Sequence, residues 1–180
     1  LPGGHRLGLV GRAVLERDRI TSLMEISALN LRLAHEKKGC ADSVISCLWE
    51  QDNLCDTLVI SPPGGGKTTL LRDCIRQISD GTKEHPGRTV GVVDERSEIA
   101  GCCRGVPEND VGMRTDVLDG CPKTLGMRML LRSMAPEVLA VDEIGSEEDV
   151  REIQYAANCG CTVFATVHGD SLDALQNQPN

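Results

Sequence analysis

Aromatic side chains are almost absent: Trp49, Tyr155 and Phe164 are the whole set, 2% of the chain. So few rings leave little on which successive bases of a single strand could stack. Positive charge is also scarce. Against 27 Asp and Glu stand 19 Lys and Arg, a formal charge of −8, whereas a chain whose main partner is a polyanion needs clustered positive charge. Nucleic acid is therefore not an expected partner, although a local basic groove remains compatible with these numbers. No apolar run approaches the ~18 residues that span a bilayer, and no signal peptide is visible, which points to the cytoplasm. Paired-cysteine metal motifs are missing too. The nine cysteines contain no C-x-x-C; Cys102 and Cys103 are adjacent, and Cys159 and Cys161 are separated by one residue. They read as small hydrophobes in a reducing compartment.

What is present is organised in two parts. A length of 180 residues suits one ordinary domain plus part of another. With Leu1 in first place and Asn180 soon after a motif-like segment, the chain reads as a piece of a longer protein. The period-two run Leu29-Asn30-Leu31-Arg32-Leu33 and the apolar patches before it predict a small β segment over 1–35. Between Glu36 and Trp49, the spacing of Cys40, Val44, Ile45 and Leu48 predicts a linking helix despite Gly39. The pattern then changes. Strands are expected at Thr57–Ile60, Arg88–Val93, Val138–Val141 and Thr162–Thr166, with helices at Lys67–Ser79 and Ser146–Asn158. Such alternation predicts an α/β domain with a parallel sheet covered on both faces. The expected division is 1–52, the last part of a small α+β domain with its linker, and 53–180, the α/β domain. Gly101–Pro122 reads as a long functional loop.

The chemistry-bearing residues stand where such strands end. Ser61-Pro62-Pro63-Gly64-Gly65-Gly66-Lys67-Thr68-Thr69 follows the first strand of the α/β part and opens a helix. It matches the phosphate-binding loop, with Ser61 in place of the first glycine. Loop amides and the helix N-terminus would hold phosphate oxygens, Lys67 would reach the β- and γ-phosphates of ATP, and the Thr68 hydroxyl would ligate Mg²⁺. Val138-Leu139-Ala140-Val141-Asp142-Glu143 is a buried strand ending in two acids. Asp142 would hold Mg²⁺ directly or through water, and Glu143 would orient or deprotonate the attacking water. Val92-Val93-Asp94-Glu95-Arg96 repeats the pattern, so that Glu95 would assist the water or the metal shell and Arg96 would sense phosphate. His168, in Thr166-Val167-His168-Gly169, would register the γ-phosphate and report its loss. Arg104 and Arg114 are candidates for a cation reaching across a subunit interface, with a plain ion-pair role equally open, and Arg132 is a weaker third.

Taken in order, these motifs resemble those of the secretion-type traffic ATPases, the ring motors of type II and type IV secretion. Val93-Asp94-Glu95-Arg96 is similar to their acidic box, the stretch from Leu131-Arg132 to Glu143 to their second Walker segment, and Thr166-Val167-His168-Gly169 to their histidine box. SPPGGGKTTLLRD, VVDERSEIAG, NDVGMRTDVLDGCPK and AVDEIG resemble more closely still the stage III sporulation AA family of endospore-forming Firmicutes. The resemblance covers nearly the whole chain. It implies a RecA-like P-loop ATPase using ATP and Mg²⁺, a homo-oligomer, expected to be a hexamer, with most of its N-terminal domain preceding Leu1 and a further segment after Asn180. It also implies a peripheral position at the mother-cell side of the forespore membrane, with channel proteins of the sporulation apparatus as partners. Two rival readings are a ring scaffold that binds ATP with little turnover and a DNA-processing RecA-like ATPase. Asp142 departs from the traffic ATPases, which commonly carry glycine there.

Overall fold

A computed structural model describes residues 2–171 and Asp173, so the expected end of the α/β domain at Asn180 lies outside the described residues. The chain opens with a long antiparallel hairpin, β1 (Arg6–Glu16) and β2 (Arg19–Arg32). Arg17 and Asp18 both take positive φ, 47° and 63°. That pair of left-handed residues closes a tight turn whose twist matches the flanking strands. Cross-strand pairs alternate as expected: Leu7 faces Leu31 and Leu9 faces Leu29, while Arg6 faces Arg32 and Gly8 faces Asn30. Every residue of β2 is exposed.

The segment expected to be a helix from Glu36 to Trp49 is instead a series of turns with one short 3₁₀ turn, Ile45–Leu48. The physical reason is local. Gly39 sits at φ +82°, and the Ala41 amide donates to the Asp73 carboxylate at 2.9 Å. Ala41 and Leu48 are buried in the core beside Leu71 and Ile75, so tertiary packing overrides the helical spacing. A two-residue ladder, β3 (Trp49–Glu50) with β4 (Asn53–Leu54), follows.

The rest is a five-stranded parallel sheet in the order β5-β9-β8-β6-β7. Its strands are β5 (Thr57–Ser61), β6 (Val90–Asp94), β7 (Thr115–Asp119), β8 (Val138–Val141) and β9 (Thr162–His168). Among the described residues three helices cover it: α1 (Lys67–Asp80), α2 (Lys123–Ser133) and α3 (Glu147–Asn158). Successive strand residues point to opposite faces, and both faces are buried. Val92, Ala140 and Phe164 pack with Leu71, Ile75 and Ile78 of α1. Val93, Leu139, Val141 and Ala165 pack with Met127 and Leu130 of α2 and Ala156 of α3. The two-sided parallel sheet expected from the sequence is thus what forms.

Two elements lie where only a loop or nothing regular was expected. β7 falls inside the polar stretch Gly101–Pro122, and α2 follows it directly. Burial pushes the Cys74 thiol up to about 12 and the Cys102 and Cys161 thiols up to about 11, which suits cysteines that serve as core apolar residues.

Candidate nucleotide site

Because all five strands of the sheet are parallel, the residues following β5, β6, β8 and β9 gather at one edge, where open α/β sheets bind ligands. The glycine loop leaves β5 there. Gly64 and Gly66 have φ of 78° and 87°, the left-handed region that favours glycine. Ser61 ends the strand and is not among the positive-φ residues, so its place does not demand glycine. Lys67 and Thr68 begin α1, with Gly66 at the cap and no side chain occupying the helix's first amides. A helix N-terminus of this kind suits phosphate oxygens.

Lys67 is only 5% exposed. It meets His168 Nδ1 at 2.7 Å, and His168 Nε2 meets Glu143 Oε1 at 2.8 Å. Arg96 donates to the other oxygen of Glu143 at 2.5 Å. One chain of contacts, Lys67–His168–Glu143–Arg96, therefore links α1, β9, the end of β8 and the loop after β6. Burial alone would raise the Glu143 carboxyl, but the His168 hydrogen bond and the charges of Arg96 and Lys67 outweigh it and hold it below its usual range.

Beside this chain, Thr68 Oγ1 donates to Asp142 Oδ2 at 2.5 Å, and Thr166 Oγ1 donates to the other oxygen of the same carboxylate. A hydroxyl and a carboxylate side by side are the hard oxygen donors that suit Mg²⁺. Among the described residues no group of three or more His, Cys, Asp or Glu is placed to hold a metal ion. Phosphate oxygens and water would have to complete a shell built on Thr68 and Asp142.

The cleft over these groups measures about 620 Å³, a size fitting a small-molecule ligand. It is walled by Pro63, Gly64, Gly66, Thr68 and Thr69 on one side and by Arg6 and Arg32 of the hairpin on the other. Most residues singled out in the sequence thus converge. Glu95 stands slightly apart: it is exposed, and its nearest charged partner is Lys123, 3.9 Å away. Asp94, between them, is structural. It is 2% exposed and accepts the amides of Glu98, Ile99 and Ala100, folding the loop that presents Arg96.

Arg104 and Arg114 do not join the cleft of their own chain. Arg104 is exposed on the turn between Cys103 and Val106. Arg114 precedes β7, at the opposite edge of the sheet, and clasps the end of α1 through Ser79 Oγ and Ser79 O. Arg132 is exposed in the last turn of α2. Three participants escaped the sequence reading: Thr166, which fixes Asp142; Arg72, which is buried and donates to the carbonyls of Glu98 and Ile99; and Lys123, which donates to the Glu143 carbonyl. Arg72 lies one turn along α1 from Thr68, inside the motif stretch, which was its available signal. Thr166 opens the Thr166-Val167-His168-Gly169 motif and Lys123 closes NDVGMRTDVLDGCPK, so each carried the same signal of position but none of its role.

The chain is 46% identical over 178 residues to the stage III sporulation protein AA of Bacillus subtilis, covering 99% of this chain and 58% of that protein. It is 30% identical over 159 residues to the protein SEEDLING PLASTID DEVELOPMENT 1 of Arabidopsis thaliana, covering 87% of this chain and 22% of that one. The chain thus spans little more than half the length of one of these relatives and less than a quarter of the other. Among solved structures, the ATPase DotB of Legionella pneumophila superposes with a TM-score of 0.65 at 21% identity, over 95% of this chain and 45% of that one. The pilus retraction motor PilT, solved with bound ADP, gives 0.60 at 20% identity, over 98% and 52%. These likenesses show that the chain shares the fold of the DotB and PilT cores. The family described as "Sporulation stage III, protein AA" matches residues 1–180, and the chain belongs to that family.

Proposed function

We propose that the chain is the catalytic part of a Mg²⁺-dependent ATPase whose turnover powers or gates a secretion-like channel between mother cell and forespore. The observation that carries the hydrolytic reading is the chain of contacts from Lys67 through His168 to Glu143 and Arg96, beside the Thr68–Asp142 pair. A phosphate-binding lysine, a carboxylate base, an imidazole and a guanidinium meet in one cleft next to a pair of hard oxygen donors.

The roles follow from position. The amides of Gly64 to Thr69 and the ammonium of Lys67 bind the β- and γ-phosphates, and Thr68 and Asp142 hold the metal ion. Mg²⁺, when bound, neutralises phosphate charge as the terminal phosphoryl group leaves. Glu143 orients the attacking water and accepts its proton. Without nucleotide, its carboxylate is occupied by His168 and Arg96 and its basicity is reduced. A γ-phosphate competes with His168 for Lys67 and thereby loosens His168 from Glu143. The same exchange reports nucleotide state to β9 and to the loop after β6. Glu95 stands outside this exchange and acts on the water's side of the cleft.

We read residues 1–52 as part of a small N-terminal domain with its linker and 53–180 as the ATPase domain. The subunit assembles as a ring, expected to be a hexamer, in which Arg104 or Arg114 reaches a neighbour's site. It sits peripherally at the mother-cell side of the forespore membrane, against channel proteins. Similarity to the sporulation protein of Bacillus subtilis and to the DotB and PilT folds supports this assignment.

The test compares ATP hydrolysis by the full-length protein with that of Glu143→Gln, measuring ATP binding and oligomer size in the same samples. Turnover that collapses in the variant while binding survives is the expected result. An assembled, ATP-bound ring with no turnover, even with its membrane partners added, sinks the motor and leaves a nucleotide-gated scaffold.

A further inference from the structure

α2 begins with a charge of the wrong sign for its position. Lys123 is its first residue, where exposed amides favour an acid, and the helix has neither a capping side chain nor an acidic residue in its first turn. The Lys123 side chain is only 14% exposed, and its ammonium meets three oxygens of the sheet edge. It donates to the Glu143 carbonyl, and it lies 3.5 Å from Asp149 Oδ2 and 3.9 Å from Glu95 Oε2. A residue that violates the local preference of its helix while satisfying several distant partners is placed for a tertiary purpose.

Glu143 is the residue that needs holding. It follows β8 with φ +52°, a left-handed conformation that a side chain disfavours. Its amide donates to Thr166 Oγ1 at 2.9 Å and to Asp142 Oδ1 at 3.1 Å. The next amide, that of Ile144, donates to the Thr166 carbonyl at 2.9 Å. Since Lys123 takes the Glu143 carbonyl, the peptide joining Glu143 to Ile144 is gripped at both of its polar atoms. Asp149 anchors the other side of Lys123. It is 5% exposed and accepts the amides of Gly145 and Ser146 at the start of α3.

We infer that Lys123 is a positioning residue for the proposed hydrolysis: by fixing the Glu143–Ile144 peptide it aims the Glu143 carboxylate into the cleft, and it joins that aim to α3 and to Glu95. The kinetic part of this inference rests on the ATPase reading; the structural part does not.

Both parts are tested in the full-length protein with Lys123→Met and Lys123→Arg. In Lys123→Met, amide exchange at Glu143 and Ile144 rises about tenfold or more, while β6 and α1 stay protected. ATP binding and KM stay within about threefold, and kcat falls about tenfold or more. Lys123→Arg restores both the protection and most of kcat. In a Glu143→Gln background, Lys123→Met costs no further turnover, because its effect passes through Glu143. Unchanged exchange at Ile144 overturns the inference, whether or not the protein hydrolyses ATP. So does a general loss of protection through β6 and β8, which makes Lys123 merely a fold-holding residue. Local loss of protection in a protein that never turns over ATP keeps the grip and rejects the hydrolysis reading instead.

Discussion

Arg96 and Glu143 are bonded through Nη1 and Oε2 at 2.5 Å, across the gap between the loop after β6 and the end of β8. The residue proposed as base is thereby kept ionised but weakly basic. Two consequences follow for the Arg96→Ala variant. With one neighbouring cation gone, the carboxyl pKa of Glu143 rises, so the acidic limb of the kcat profile moves to higher pH. Burial of the carboxyl is unchanged, and the shift is therefore upward in sign. Steady-state ATPase rates between pH 4 and 9 check this; a limb that does not move shows that Arg96 leaves Glu143 once nucleotide is bound.

Gly66 caps α1 at φ +87°, and a Cβ there would meet nothing within 4 Å. Any cost of Gly66→Ala is therefore conformational rather than steric. A left-handed alanine costs about 1–2 kcal/mol, and an exposed loop avoids that cost by relaxing out of the phosphate-cradling shape. Nucleotide must then restore the shape on binding. ATP affinity should fall roughly tenfold, which is what about 1.4 kcal/mol corresponds to, while the melting temperature scarcely changes. Titration with a fluorescent ATP analogue alongside a thermal melt separates the two.

The meeting of the strand-end residues at one edge of a two-sided parallel sheet was legible in the sequence. Lys67, Thr68, Asp142, Glu143 and His168 were readable because each follows a strand in a short motif, and a parallel sheet brings strand ends together. β7 was not readable: Thr115-Asp116-Val117-Leu118-Asp119 has two apolar residues, and pairing with β6 makes it a strand. α2 was obscured by Gly126, which weakens helical propensity. The expected helix over 36–49 failed because Asp73 takes the Ala41 amide and Gly39 turns the chain. Lys123 could not be assigned from sequence, since its partners Glu143, Asp149 and Glu95 are distant along the chain and meet only in the folded edge.

Gly126 also explains how α2 reaches the sheet. A Cβ at this position would lie 2.5 Å from Val93 Cγ1 and 3.2 Å from Val93 Cγ2, both in the buried core. Neither helix nor strand can retreat without opening the core on that face. Gly126→Ala should cost about 1–3 kcal/mol through overpacking, despite alanine's better helix propensity. Val93→Ala in the same chain removes the obstructing methyls, so the double variant should be more stable than the sum of the two single losses implies. Urea midpoints of the four proteins measure this coupling; strict additivity rules out the contact as its cause.

Asp73 ties the turn at Ala41 to α1 and gives the protein a predictable acid sensitivity. It is 4% exposed and accepts the Ala41 amide at 2.9 Å, Arg76 Nε at 2.9 Å and Arg76 Nη2 at 2.7 Å. Burial alone would raise its carboxyl, but these bonds and the Arg76 charge hold it below the ordinary value of 3.8. The folded state therefore binds this proton less readily than the unfolded state does. Its contribution to stability is complete above the unfolded value and is lost as pH falls through the lower folded value. Asp73→Asn keeps the shape but loses the charge, and should cost about 1.5–3 kcal/mol at neutral pH. The gap in urea midpoint between the two proteins should then narrow progressively below about pH 4, as the native carboxylate protonates and comes to resemble the amide. A gap that stays constant down to pH 2 would show that the Asp73 charge contributes nothing and that the amide's geometry alone is at fault.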